Sequence, residues 1–176
     1  AGSSGSANSS DGTGATALFD FPYGISYSAP DAVYSQGRLF VADSNNHTIR
    51  AVDVATGATT TLAGAAGVAG NNNSSDGTGA TARFYYPRGI SYSAPSGSYS
   101  QGRLFVVDSS NHTIRSVDVA TGATTILAGS GNSAGSNDGT GADARFRYPH
   151  GISYSAPSGA YAQGRLFVAD TYNNTI

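Results

Sequence analysis

Apolar and polar residues alternate in short runs along this chain, and no stretch shows the 3.6-residue rhythm of a helix. Gly24 to Ser28, Arg38 to Asp43, Thr48 to Val54 and Ala58 to Leu62 are rich in β-branched and aromatic residues and are divided by Gly, Pro and Asn. That pattern predicts four consecutive strands. In the second run Leu39 and Val41 point one way and Phe40 and Ala42 the other, so this strand is expected to be covered on both faces. Ala55-Thr56-Gly57 reads as a three-residue hairpin loop whose glycine takes the left-handed conformation, which makes the third and fourth strands antiparallel neighbours.

The whole pattern repeats. Asp11 to Ala17, Asp76 to Ala82 and Asp138 to Ala144 carry the same D-G-T-G-A-x-A segment, 65 and then 62 residues apart, and each is followed at fixed spacing by an aromatic and a proline. Units of this size cannot bury both sheet faces alone and must stack. The chain therefore divides into a linker tail (1–10), a first unit (11–75), a second (76–137) and a partial third (138–176). Phe19, Phe84 and Phe146 are expected to plug the space between neighbouring units. The expected fold is all-β: blades of four antiparallel strands, about three of them, the third incomplete.

Composition narrows the function. Among 176 residues there is no Lys, Glu, Cys, Met or Trp, and charged residues make up 11%, against about 25% in ordinary soluble domains. A net charge of −2 exerts no long-range pull on nucleic acid, and no apolar run reaches the ~20 residues of a membrane span. Nucleic-acid partners and membrane insertion are accordingly not expected.

The order F-x-x-P-x-G-I, G-R-L-F-V-A-D, N-H-T-I-R and a T-G hairpin resembles the NHL-repeat β-propellers, and the D-G-x-G-x-x-A-x-F spacer resembles their bacterial and plant variants. The Trp-Asp signature of WD40 propellers is missing. The resemblance covers nearly the whole chain and implies scaffolding or recognition more often than catalysis, in rings that usually hold six blades. One departure is a longer loop in the first hairpin, Tyr27 to Gly37, repeated at Tyr92 to Gly102 and Tyr154 to Gly164. It is expected to decorate the same edge of every blade.

Ile176 aligns with Ile114, so the third unit stops before the equivalents of Arg115 to Leu127, and Ala1 to Ser10 contain too little apolar material to replace them. An open strand edge is expected there. Two readings stay open: the chain is a piece of a longer repeat protein, or a second copy completes it head to tail as a ring or filament.

Candidate chemistry is sparse. Asn46, Asn111 and Asn173 head aligned N-x-T glycosylation patterns, and Asn8, Asn72 and Asn73 add N-x-S matches in the linkers; the competing reading of the N-x-T sites is a turn that needs a left-handed Asn. Covalent N-glycans are the one attached group expected, with no cofactor and no metal. His47 and His112 occupy equivalent turns and His150 a different position, so the histidines form no designed ligand cluster and are read as surface residues. Asp11, Asp76 and Asp138 are read as turn formers rather than calcium ligands, and Asp43, Asp108 and Asp170 as holding the turn that follows each second strand. Aligned arginines (Arg38, Arg103 and Arg165; Arg50 and Arg115; Arg83 and Arg145) raise an RNA-binding face, which the matching Asp residues and absent Lys oppose.

The expected function is a non-enzymatic, extracellular or cell-surface structural protein, a glycosylated blade array that assembles with copies of itself or further blades of a longer chain. The alternative is a fragment of a secreted propeller that binds a carbohydrate or protein on one ring face. A propeller hydrolase or lyase is weaker, because no catalytic ligand set is visible.

Overall fold

The computed structural model describes residues 1–3, 5, 8–70, 75–97, 99–159 and 164–176. Asn72 and Asn73 lie outside these described residues. Among them, twelve strands form three antiparallel sheets. The first holds β1 (Gly12–Thr13), β2 (Pro22–Ser28), β3 (Arg38–Asp43), β4 (Thr48–Asp53) and β5 (Ala58–Ala63), in the order β1-β5-β4-β3-β2. The second repeats it with β6 (Gly77–Thr78), β7 (Pro87–Ser93), β8 (Arg103–Asp108), β9 (Thr113–Asp118) and β10 (Ala123–Ala128), in the order β6-β10-β9-β8-β7. The third pairs β11 (Gly151–Ser155) with β12 (Arg165–Ala169).

The predicted strands are present, and each full blade has one more. Gly12 and Thr13 pair with Thr59 and Ala58, and Gly77 and Thr78 pair with Thr124 and Ala123, so the D-G-T-G segment closes the outer edge of its own blade. The following Gly-Ala-Thr turn is 3₁₀, with Thr16 Oγ1 accepting from the Thr13 amide and donating to its carbonyl; Thr81 does the same for Thr78. The linker is better anchored than its composition suggests. The amide of Gly67 donates to the Asn46 carbonyl, and that of Gly70 to the Phe84 carbonyl.

The blades stack face to face with their first long strands, β2, β7 and β11, side by side at the centre. The core lies in the first seam: Phe40, Ala42, Ile49 and Ala63 of one sheet meet Ile90, Leu104, Val106 and Val117 of the next, with Phe84 between them. Phe84 is fully buried. Phe19 and Phe146, at the equivalent positions, are only half-buried. The outer flanks show the reverse of the core. Ile25 is 61% exposed where its counterpart Ile90 is 6%, and Phe167 is 45% exposed where Phe105 is 2%. Covering one such side chain contributes about 1.5–3 kcal/mol.

Candidate functional site

Each full blade is locked to its linker by a buried ionic clamp. Arg50, with no exposed surface, donates through Nη1 to the Asp43 carboxylate (3.0 Å) and the Leu18 carbonyl (3.0 Å), and through Nη2 to Asp11 (2.8 Å) and the Ser10 carbonyl (2.9 Å). Arg115 repeats this with Asp108, Asp76 and the carbonyls of Arg83 and Ser75. The guanidinium also lies over the plug ring, 5.0 Å from Phe19 and 5.2 Å from Phe84. Burial pushes the Asp43 and Asp108 carboxyls above their ordinary value, while their arginine, asparagine and backbone partners pull against it. A charge pair this deep holds only because each remaining oxygen is also bonded.

Several expectations are corrected here. Asp43 accepts the amide of Asp20, Asp108 that of Tyr85 and Asp170 that of Arg147, so these aspartates anchor the segment entering the blade, and they hold the turn after the second strand through the side chains of Asn46, Asn111 and Asn173 rather than through its amides. Asp11 and Asp76, directly before β1 and β6, are counter-ions to buried arginines. Arg50 and Arg115 have no surface to offer RNA. Asn46 and Asn111 are no acceptors in the folded chain: they are 7% and 0% exposed, and the nitrogen that would carry sugar donates to Asp43 (2.9 Å) and Asp108 (2.9 Å). Nδ2 of Asn173 is likewise committed, to Asp170 and the Gly135 carbonyl. Asn8 is exposed. The left-handed residue of this turn is the one after the asparagine, His47, His112 or Asn174.

His47 and His112 are not surface residues either, being 7% and 6% exposed, and both work in the seams. Nδ1 of His47 accepts the amide of Tyr86 (3.3 Å), and Nδ1 of His112 that of Tyr148 (3.2 Å). Each ring meets its tyrosine edge-on, at 4.9 and 4.5 Å between centroids. Tyr86 and Tyr148 have φ of 50° and 44°, a costly conformation for an aromatic residue that turns the amide toward the histidine. Burial holds both imidazoles below the ordinary histidine value.

Two further contacts recur in the seams. Ser26 Oγ accepts the amide of Tyr92, and Ser91 Oγ that of Tyr154, both at 3.0 Å. At the hub the backbones touch: a Cβ on Gly24 would lie 2.2 Å from the Arg88 carbonyl oxygen, and one on Gly89 2.5 Å from that of His150. Only glycine allows that approach.

One rim of the hub carries a line of rings that joins the first blade to the third, with Arg88 of the second blade beside it. Phe21, Tyr23, His150, Tyr172 and Tyr148 follow one another at centroid spacings of 6.4, 6.2, 6.2 and 5.0 Å. The Arg88 guanidinium stands 5.0 Å over Tyr23, and its Nη1 is 3.4 Å from His150 Nδ1. Burial and this arginine hold His150 below its ordinary pKa. Phe21, Tyr23 and Tyr172 are 50–63% exposed. A surface of exposed rings with one embedded cation suits stacking and polar recognition. Among the described residues no three His or carboxylate groups gather as metal ligands, and no helix is long and apolar enough to cross a membrane.

Comparison with known proteins extends this picture. No protein-family model matches the chain. Suppressor of Quenching 1, a chloroplastic protein of Arabidopsis thaliana, is 34% identical over 173 residues, 96% of this chain and 15% of its own length. NHL repeat-containing protein 2 of Bos taurus is 36% identical over 141 residues (78% and 18%), and the Homo sapiens protein of that name 31% over 161 (90% and 20%). The chain thus spans a fifth or less of these relatives. An auxiliary nutrient binding protein from Bacteroides thetaiotaomicron superposes with a TM-score of 0.65 at 26% identity, covering 78% of this chain and 33% of that one. A protein of the same description from Bacteroides ovatus gives 0.62 at 23%, which shows the fold alone.

Proposed function

The chain belongs to the NHL-repeat family of β-propellers, and from that membership we propose that it is a non-enzymatic stacking module whose open flanks receive further blades of the same repeat, head to tail. The carrying observation is that the two internal seams are copies of each other. Glycine against carbonyl, serine to tyrosine amide and histidine to tyrosine amide occur in both. The outer flanks carry the corresponding halves: Ile25 and Val41 on one side, Ser153, Phe167 and, in place of the histidine, Asn174 on the other. An interface of this kind closes into a ring or propagates as a filament according to its rotation per blade.

Sedimentation of the 176-residue chain across a concentration series tests this. Association that is lost on Ile25→Arg supports the proposal, and a monomer at every concentration overturns it. An extracellular or cell-surface setting belongs to the same proposal, supported by a surface built from uncharged polar residues and by exposed Asn8 as the remaining described glycan acceptor.

A second reading is favoured by the line of rings at the rim. Nutrient binding is the description of the Bacteroides neighbour, and the exposed Phe21, Tyr23 and Tyr172 would serve ligand capture on one ring face here. Loss of tyrosine-fluorescence response to added oligosaccharide in Tyr23→Ala would support it, and a saccharide-independent signal would reject it.

A further inference from the structure

The edge opposite the rim carries the long hairpin loops, and there the repeats differ in one charge. The first two loops each place an aromatic residue beneath an arginine: Arg38 stands 4.1 Å over Tyr34 and 5.2 Å over Phe40, and Arg103 stands 4.6 Å over Tyr99 and 4.4 Å over Phe105. The next blade adds a ring to the stack, Tyr92 on Phe40 at 5.7 Å and Tyr154 on Phe105 at 5.1 Å. In the first loop the cation has its own counter-charge, because Asp31 Oδ2 lies 3.8 Å from Arg38 Nη2. Asp31 is fixed there by accepting the amides of Val33 and Tyr34 through Oδ1.

The second loop has Ser96 at the position of Asp31. Among the described residues Arg103 makes no hydrogen bond and no ion pair, and its Nε is buried without a partner. Beside it lies a cavity of about 500 Å³, bounded by Arg103, Ser96, Tyr99 and Pro95 on one blade and Tyr154 and Pro157 on the next. That volume is in the range of small-ligand sites. A half-buried guanidinium held on rings, without the internal carboxylate of the first loop and with space beside it, is matched by a carboxylate brought from outside.

We propose that this inter-blade cavity binds a small organic carboxylate of sugar-acid size, its charge taking at Arg103 the place that Asp31 takes at Arg38. The flanking prolines and tyrosine rings supply apolar contact for the body of the ligand.

Calorimetric titration of the full chain with D-glucuronate, with D-glucose as the uncharged partner, tests the proposal. Glucuronate is expected to bind one to one, and glucose not to bind. Ser96→Asp, which restores the internal counter-charge, should weaken glucuronate about tenfold or more, while Ser96→Asn should leave it unchanged. Asp31→Ser should create a second site. Equal binding of glucose, undiminished binding in Ser96→Asp, no binding of glucuronate by the parent chain, or a stoichiometry that stays at one in Asp31→Ser would overturn it.

Discussion

Truncating Phe84 to alanine should separate a seam residue from the flank residue at the equivalent repeat position, Phe19. The ring has no exposed surface, lies under the Arg115 guanidinium at 5.2 Å, and is so close to the preceding blade that a Cβ on Gly64 would stand 3.3 Å from it. Its loss leaves a cavity bounded by two sheets and a buried cation without its ring, so about 3–5 kcal/mol of stability should go. For a protein of this length that is a fall in Tm of roughly 6–20 °C. Phe19→Ala is the internal control. Phe19 has Arg50 at 5.0 Å but is only half-buried, so its loss should cost about 1–2 kcal/mol. Thermal melts followed by far-ultraviolet circular dichroism, with urea titrations for the m-value, would read the difference. Equal losses at the two positions would refute the claim that the seam, rather than the local turn, gives the plug its energy.

The hub makes a comparable contrast: Gly89→Ala should be strongly destabilising, since its Cβ would meet the His150 carbonyl, whereas Gly151→Ala should be tolerated in the isolated chain, its nearest neighbour being Ala169 Cβ at 3.5 Å. Chemical denaturation of the two variants decides between them. Stability should also fall with acid. His47 and His112 are held below their ordinary value near 6.5, so the unfolded chain takes protons first and the histidine contribution, complete above about pH 6.5, shrinks as pH drops beneath it. Replacing both by asparagine, the residue at position 174, should flatten that slope; an unchanged pH profile would count against the seam bonds. Peptide mass spectrometry after expression in a secretory host should find Asn46 and Asn111 bare, and a glycan on either would contradict their burial.

How much of this could be read from the sequence depends on how local the deciding contact is. The limits of β3 and the left-handed Gly57 (φ 71°) follow from neighbours within a few residues, and both were legible. β1 was not, because two residues of Gly-Thr have no alternation to detect and acquire strand character only from Ala58 and Thr59, far along the chain. The role of Asp43 was hidden for the same reason, its amide partner lying 23 residues upstream. Asn46 and His47 misled more directly. A polar turn with an N-x-T pattern reads as surface, but the linker segments bond Asn46 through the Asn8 carbonyl and the Gly67 amide, and the next blade covers His47 through Tyr86. The Asp31-to-Ser96 difference, by contrast, stood in plain view between the repeats and acquired meaning only once Arg103 was seen without a counter-charge.

Where blades meet at the hub, the joint is made of main chain: a missing Cβ on one side and a carbonyl on the other. Such a joint reads no side-chain identity, so one copy is as acceptable to its neighbour as any other. Duplication, deletion or shuffling of whole units therefore demands no compensating change at the hub, where the geometry of every step stays constant, and leaves the choice of neighbour to the apolar side chains of the seam.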